Sequence, residues 1–282
     1  MTEPQIRELF DESRCDHRDA GRPRPVRAYL WHPPVPGDGP PPVVLVSHGS
    51  GGSGGEMTWL AEPLAAAGFL AVSVDHHGEN FVDGYHAEGF AFPWERPRDF
   101  SFVLDVLAAE RPLPAVGAVG FSAGGYTGAA LVGARLDGDV LRMVLDGRVP
   151  LPPIREFPDL IETVHACVDP GRLARAVVEG VRDLADGRVG AAFLVCPGMG
   201  ELVTPESLKG IGRPVAVRWG GADVVTPAES NALRYLGAIP DAEGRSAGAD
   251  VEHYHFLRDD PDGAEVRGRV AAEAVEFFRT RL

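Results

Sequence analysis

Gly120-Phe121-Ser122-Ala123-Gly124 follows the apolar run Ala115-Val116-Gly117-Ala118-Val119 and opens into the small-residue stretch Gly125-Tyr126-Thr127-Gly128-Ala129-Ala130. The run reads as a strand, the glycines as a sharp turn, and the stretch after them as a helix with a serine at the apex. A G-x-S-x-G at such a junction is a nucleophile elbow: its glycines let the backbone turn tightly enough to present Oγ above a sheet. The helix end also offers unpaired N–H groups and a partial positive charge to a developing oxyanion. The same five residues suit a serine that only caps the helix, so the pentapeptide by itself leaves both readings open.

The chain has 282 residues, 44% hydrophobic and 24% charged, enough for a sizeable core in a single α/β domain over 1–282. A net charge of −14 repels nucleic acid and anionic membranes. Lys209 is the sole lysine among 27 basic residues, which reads as coding bias and not as a functional patch. Met1 to Glu8 carries no apolar h-region, so no signal peptide is expected, and no apolar run reaches membrane-spanning length. Cys15, Cys167 and Cys196 are widely spaced, odd in number and without a C-x-x-C pair. They argue against a disulfide scaffold or zinc site and suit a reducing cytoplasm.

Along the chain an acidic leader precedes Pro25 to Trp31, which alternates like a strand. Pro33 to Pro42 reads as a surface loop, and Val43 to Val46 is apolar on both faces, as a central parallel strand is. Met57 to Ala67 reads as a crossover helix, Phe69 to Val74 as the next strand, and His76 to Pro97 as a long irregular stretch. Phe100, Val103, Leu104 and Leu107 have helical spacing. Asp169-Pro170 is a helix start, with Leu173, Val177, Val181 and Leu184 on one apolar face. Ala191 to Cys196 and Val215 to Trp219 resume the strands, and Ala264 to Arg281 is a final helix. The alternation predicts a doubly wound, mostly parallel sheet, interrupted at about 137–190 by an insertion read as a small helical lid.

A serine hydroxyl needs a base to take its proton, and the base needs an acid to orient it. On such a sheet the order is serine, acid, histidine, each on a loop leaving the C-terminal end of a strand. Asp223, in the glycine turn after Val215 to Trp219, is placed to be the acid, although Asp in such turns often only bonds its own backbone. Two histidines follow; His253 lies nearer the strand end and is preferred as the base over His255. The order Ser122, Asp223, His253 carries more weight than any one motif. For the oxyanion, the amides of Ala123 and of Ser50, in the loop Ser47-His48-Gly49-Ser50-Gly51-Gly52, are the expected donors, against a glycine turn with no catalytic role.

Gly49 to Gly54 also fits the dinucleotide pattern G-x-G-x-x-G, with Asp75 at the end of the next strand. A preceding strand, the crowding His48 and an otherwise unexplained elbow count against it. No histidine pair has H-E-x-x-H spacing, so no metal and no organic cofactor is called for. His76, with His77 and His86, is expected to line the mouth of the site or face solvent. Trp94, with Phe90 and Phe92, and Tyr254 are candidate pocket residues, against the alternative of local packing.

The sequence resembles the α/β-hydrolase superfamily over nearly its whole length, and within it is similar to bacterial predicted dienelactone hydrolases related to platelet-activating-factor acetylhydrolases. The likeness is carried by Pro25 to Pro33, Ser47 to Gly52, Asp75-His76-His77-Gly78, Arg96 to Asp105, the elbow, Gly220 to Asp223 and His253 to Leu257. The family's histidine, two residues, then Phe-Leu also favours His253. Dienelactone hydrolases proper carry cysteine where Ser122 stands, so the resemblance leaves the substrate open. It implies a cofactor-independent serine hydrolase acting on small or medium acyl esters through an acyl-enzyme on Ser122, in the cytoplasm that the cysteine pattern suits. Amide, peptide or thioester hydrolysis and acyl transfer share that triad. An NAD(P)-dependent oxidoreductase using residues 49–54 and a non-catalytic binding protein are readings of other classes. A small-molecule partner is expected, with neither nucleic acid nor membrane, and a homo-oligomer is compatible with the sequence.

Overall fold

The computed structural model describes residues 3–35, 37, 39–149, 154–257 and 259–282. In chain order they form β1 (Gln5–Cys15), β2 (Pro23–Trp31), β3 (Val43–Ser47), α1 (Thr58–Ala66), β4 (Leu70–Asp75), β5 (Glu79–Asn80), β6 (Gly84–Tyr85), α2 (Ala87–Ala91) and α3 (Glu95–Glu110). There follow β7 (Val116–Phe121), α4 (Ala123–Leu131), α5 (Gly138–Leu145), α6 (Leu160–Cys167), α7 (Pro170–Gly180), β8 (Val189–Val195), α8 (Pro205–Lys209), β9 (Val215–Gly220), α9 (Ala232–Ala238), β10 (Glu243–Gly248) and α10 (Pro261–Arg281).

Among the described residues eight strands make one sheet in the order β1-β2-β4-β3-β7-β8-β9-β10. From β4 to β10 the neighbours are parallel, and β1 and β2 add an antiparallel edge. The doubly wound sheet expected from the alternation is therefore present. Val43 and Leu45 of β3 face one core with Phe100, Leu104 and Tyr126, while Val44 and Val46 face another with Leu60, Leu64, Val270 and Phe278. Burial on both faces explains why the inner strands read as unbroken apolar runs.

The chain leaves β3 toward β4 on one side and later returns to β7 on the other, so a topological switch lies between β3 and β7, where such sheets bind ligands. Ser47 pairs with Gly120, and Phe121 with Val195. The segments after β3, β7 and β8 thus leave the sheet side by side.

Two edge strands depart from expectation. The acidic leader is β1, whose outer edge is open and most of whose side chains are exposed; backbone pairing with β2 holds it, and hydrophobic periodicity does not report that. β10 at the other edge is similarly polar and exposed. The stretch from His76 to Pro97 holds the β5–β6 hairpin and α2. The insertion at 137–190 is occupied by α5, α6 and α7, and its residues 150–153 lie outside the described ones, as do Pro36 and Asp38 of the surface loop. Asp169 caps α7 by accepting from the Arg172 amide at 2.9 Å.

Beneath the switch point lies a buried polar network. Asp99, fully buried, accepts from Arg24 at 2.8 and 3.0 Å in a two-pronged pair and faces Arg14 at 2.8 Å. Burial opposes its ionisation, yet Arg24 and Arg14 hold the carboxyl well below the usual range. His76 faces Asp99 through Nδ1 at 3.0 Å and Ser47 Oγ through Nε2 at 3.0 Å. With two guanidiniums already answering Asp99, this pair holds as a neutral imidazole donating to a carboxylate. Burial, with the Arg96 charge, pushes His76 down to about 3.

Backbone contacts at the elbow predict opposite outcomes for two glycines. A Cβ on Gly120 would lie 2.1 Å from the Gly124 carbonyl oxygen, whereas exposed Gly268 within α10 has nothing within 4 Å of that position. Chemical denaturation should find Gly120→Ala destabilised by on the order of 3 kcal/mol and Gly268→Ala stabilised by about 0.5–1 kcal/mol.

The buried histidines give a pH prediction. Burial keeps His48 well below its ordinary value, and burial with Arg24 pushes His17 to about 2. Folded, these and His76 stay neutral; unfolded, they take up protons below about pH 6.5. Their stabilisation is complete above that value and is lost as pH falls toward 3, by about 1.4 kcal/mol per pH unit for each histidine. The melting temperature should therefore drop between pH 6.5 and 4.5, before most carboxylates titrate. A flat profile over that range would show that these histidines are not held neutral.

Candidate active site

Ser122 sits between β7 and α4 with φ 58° and ψ −119°, a left-handed conformation that a residue with a Cβ avoids. It is held there by its own amide donating to Val195 O at 2.9 Å and by its carbonyl accepting from Gly125 and Gly198 at 2.8 and 3.0 Å. A Cβ on Gly124 would lie 2.1 Å from Ser47 O, so only glycine lets α4 approach β3 this closely.

The sequence-predicted triad comes together. His253 Nε2 lies 3.1 Å from Ser122 Oγ, and Nδ1 lies 2.7 Å from Asp223 Oδ2. With Nδ1–H donating to the carboxylate, Nε2 is free to accept from the serine hydroxyl. Asp223 also accepts from the Val225 and Thr226 amides at Oδ1, at 2.9 and 2.8 Å. Burial pushes its carboxyl up, but the His253 hydrogen bond and charge and the Thr226 amide and hydroxyl outweigh it and leave it below the ordinary value. His255 is engaged elsewhere: its Nδ1 accepts from the Glu252 amide at 2.9 Å, opening the turn that carries His253.

The expected oxyanion donors flank the serine. Ala123 is the first residue of α4, whose N–H has no partner within the helix. The loop bearing Ser50 runs against the elbow, since a Cβ on Gly49 would lie 3.2 Å from Ser122 Cβ. Ser50, Ala123, Ser122, His253 and Tyr254 all border a cavity of about 750 Å³, which Leu141, Leu145 and Ile161 of the insertion also line.

His76 and Trp94 do not border it. His76 is enclosed by Ser47 and Asp99 beneath the loop, and Trp94 is buried against Phe92 and Gly180. Phe90, by contrast, does face the cavity. Sequence reasoning missed Thr226, whose hydroxyl lies 2.9 Å from Asp223 Oδ2 and 3.2 Å from His253 Nδ1. It also missed Phe121, whose ring packs on His253 with centroids 4.7 Å apart. Thr226 lies three residues after Asp223, a spacing at which an Asp turn could have suggested it.

Among the described residues Cys196, Asp223 and His253 are the one group whose potential metal ligands lie within 4.8 Å of one another. Two of the three already hydrogen-bond each other. Among the described residues no helix is long and apolar enough to cross a membrane.

No protein-family model matches the sequence, and neither does any curated protein. Solved structures do match. An acylaminoacyl peptidase of Pyrococcus horikoshii superposes on all of this chain with a TM-score of 0.62 at 14% identity, and the chain spans 42% of its length. A cold-adapted esterase from an Arctic intertidal metagenomic library covers 99% of this chain, which spans 94% of it, with a TM-score of 0.58 at 16% identity. A puromycin-hydrolyzing peptidase of Mycobacterium tuberculosis covers 99%, with a TM-score of 0.60 at 16% identity, and this chain spans 39% of it. These structures lend no specific weight to the dienelactone-hydrolase-like branch. A likeness so extensive at so low an identity is one of fold, and the fold is that of the α/β-hydrolases.

Proposed function

We propose that this protein is a cofactor-independent serine hydrolase that cleaves esters through an acyl-enzyme on Ser122. The observation that carries the reading is the unbroken relay from Asp223 through His253 to Ser122 Oγ at 2.7 and 3.1 Å, on the floor of a cavity large enough for a substrate.

Ser122 Oγ attacks the carbonyl carbon as His253 Nε2 takes its proton, and Asp223 stabilises the imidazolium that forms. The Ser50 and Ala123 amides receive the negative charge that develops on the carbonyl oxygen. His253 then gives the proton to the leaving alcohol and activates the water that releases the acid. The helices α5 and α6, whose Leu141, Leu145 and Ile161 border the cavity, act as the lid that shapes the acyl site.

An esterase of nearly this chain's size shares the fold, whereas the two peptidases are more than twice as long. Peptide hydrolysis thus has no support here beyond the fold. The oxidoreductase reading needs a free acid at the end of β4 to bind ribose. Asp75 is instead buried, accepting from Tyr29 OH at 2.9 Å and from the Gly54 amide at 2.7 Å.

Labelling with a fluorophosphonate and locating the adduct by mass spectrometry tests the proposal without a guess at the substrate. The adduct should fall on Ser122, vanish in Ser122→Ala and His253→Ala, and persist in His255→Ala. Wild-type protein that takes no label would refute the reading. Asp223→Asn keeps an oxygen for the two backbone amides but turns an NH₂ toward Nδ1, which favours the wrong tautomer. Turnover of a p-nitrophenyl ester should fall about 10⁴-fold, with little change in melting temperature; a loss under tenfold would remove Asp223 from the triad.

A further inference from the structure

We propose that Arg96 is a positioning residue that sets the gap between the two oxyanion donors, acting through Thr127 on one side and the His48 carbonyl on the other. The inference rests on the serine-hydrolase reading above and adds to it a residue outside the triad.

Arg96 enters from the start of α3 and is 1% exposed. Its guanidinium divides its donors among separate parts of the site. Nε donates to Thr127 Oγ1 at 3.0 Å, and Nη1 donates to Glu79 Oε2 at 2.6 Å. Nη2 donates to the His48 carbonyl and, at 3.3 Å, to Ser47 Oγ. The Thr127 hydroxyl in turn donates to the Ala123 carbonyl at 3.1 Å. One rigid plane therefore spans the first turn of α4, which carries the Ala123 amide, and the end of β3, which carries the Ser50 loop.

On the loop side the orientation of the donors follows from the trans peptide, whose N–H points away from its C=O. Arg96 holds the His48 carbonyl from beneath. The next carbonyl, that of Gly49, accepts from the Gly52 amide at 3.2 Å and faces His48 Nδ1 at 2.6 Å. With both carbonyls fixed, the amides of Gly49 and Ser50 are committed to opposite directions. His48 can donate to Gly49 because its Nε2 accepts from the His76 amide at 3.2 Å, which fixes Nδ1 as the protonated nitrogen.

The residue type follows from the task. A guanidinium has five donors in a rigid fork and cannot lose its charge, whereas an ammonium is a point charge on a flexible stem. Lysine could answer Glu79 but could not hold Thr127 and His48 at one fixed separation. Since an oxyanion hole gains from donors already in place as charge develops, loosening that separation acts on the transition state and leaves ground-state binding alone.

The test compares wild-type protein with Thr127→Val, Thr127→Ser, Arg96→Lys and Ser122→Ala. The readouts are kcat and KM on p-nitrophenyl butyrate, the inhibition constant of an alkyl trifluoromethyl ketone, and the melting temperature. The ketone forms a tetrahedral adduct whose oxyanion reports the hole directly. In Thr127→Val, kcat should fall about tenfold, less than the 10²–10³ for loss of a whole donor, with KM within twofold. The inhibition constant should rise by the same factor as kcat falls. Thr127→Ser keeps the hydroxyl and should hold wild-type values, and Arg96→Lys should lose at least as much as Thr127→Val. If Thr127→Ser loses as much kcat as Thr127→Val, or if the losses lie in KM, the contacts serve packing and the proposal falls. Ser122-dependent turnover with unchanged kcat in both Thr127→Val and Arg96→Lys overturns this inference alone. Wild-type turnover no greater than that of Ser122→Ala overturns the hydrolase reading and this inference with it. Should Arg96→Lys fail to fold, the Thr127 pair still decides.

Discussion

Ser122 holds φ 58° because its amide and carbonyl are tied to the end of β8, the first turn of α4 and the loop after β8, through Val195, Gly125 and Gly198. A serine in such a conformation costs on the order of 1–3 kcal/mol and persists only where its surroundings over-determine it. The over-determination is mutual. Gly124 can approach the Ser47 carbonyl, and Gly120 the Gly124 carbonyl, only while each lacks a Cβ. These approaches fix how α4 sits against β3 and β7, and with it where Oγ and the Ser50 loop come together.

Under that junction the molecule buries charge. Asp99 with Arg24 and Arg14, and Glu79 with Arg96, are withdrawn from water almost completely. Such pairs do not by themselves make a protein stable, because desolvation opposes their attraction. Their effect here is geometric. Arg14 reaches from β1 to Asp99 and Glu95, so the N-terminal edge strand is fastened to α3, and α3 carries Arg96. The acidic leader thus becomes part of the support of the site, although it contributes nothing to the cavity.

What the sequence disclosed follows the same physical line. The elbow was legible because a strained turn needs particular residues next to one another. The order Ser122, Asp223, His253 was legible because sheet topology restricts where the acid and base can arise. Inner strands announced themselves by being apolar on both faces, while β1 and β10 did not, since an edge strand can be held by backbone hydrogen bonds and polar side-chain contacts without an apolar pattern. His76 and Trp94 were misleading for a related reason. A histidine beside a strand end is equally suited to a pocket or a buried network, and only the arrival of Asp99, on a separate helix, decides between them. Arg96 fell in a stretch that carried the family likeness, but its role gave no local signal, because its partners Thr127, Glu79 and His48 lie far from it in the chain.

The same reasoning supports the proposal of a serine nucleophile at a site that also contains a thiol. Cys196 leaves β8 directly beside Asp223, and a thiolate is the stronger nucleophile in water. Burial, together with the neighbouring carboxylate, pushes its pKa well above the ordinary value, so it remains a protonated, enclosed group. Ser122 Oγ, by contrast, borders the cavity and has an imidazole nitrogen 3.1 Å away. Asp223 divides its carboxylate accordingly, giving Oδ1 to two backbone amides and Oδ2 to His253 and the Thr226 hydroxyl. The intrinsically poorer nucleophile is the one that has an imidazole beside it and opens on the cavity. In the proposed reaction it is that environment, more than the reactivity of the side chain, that selects the attacking atom.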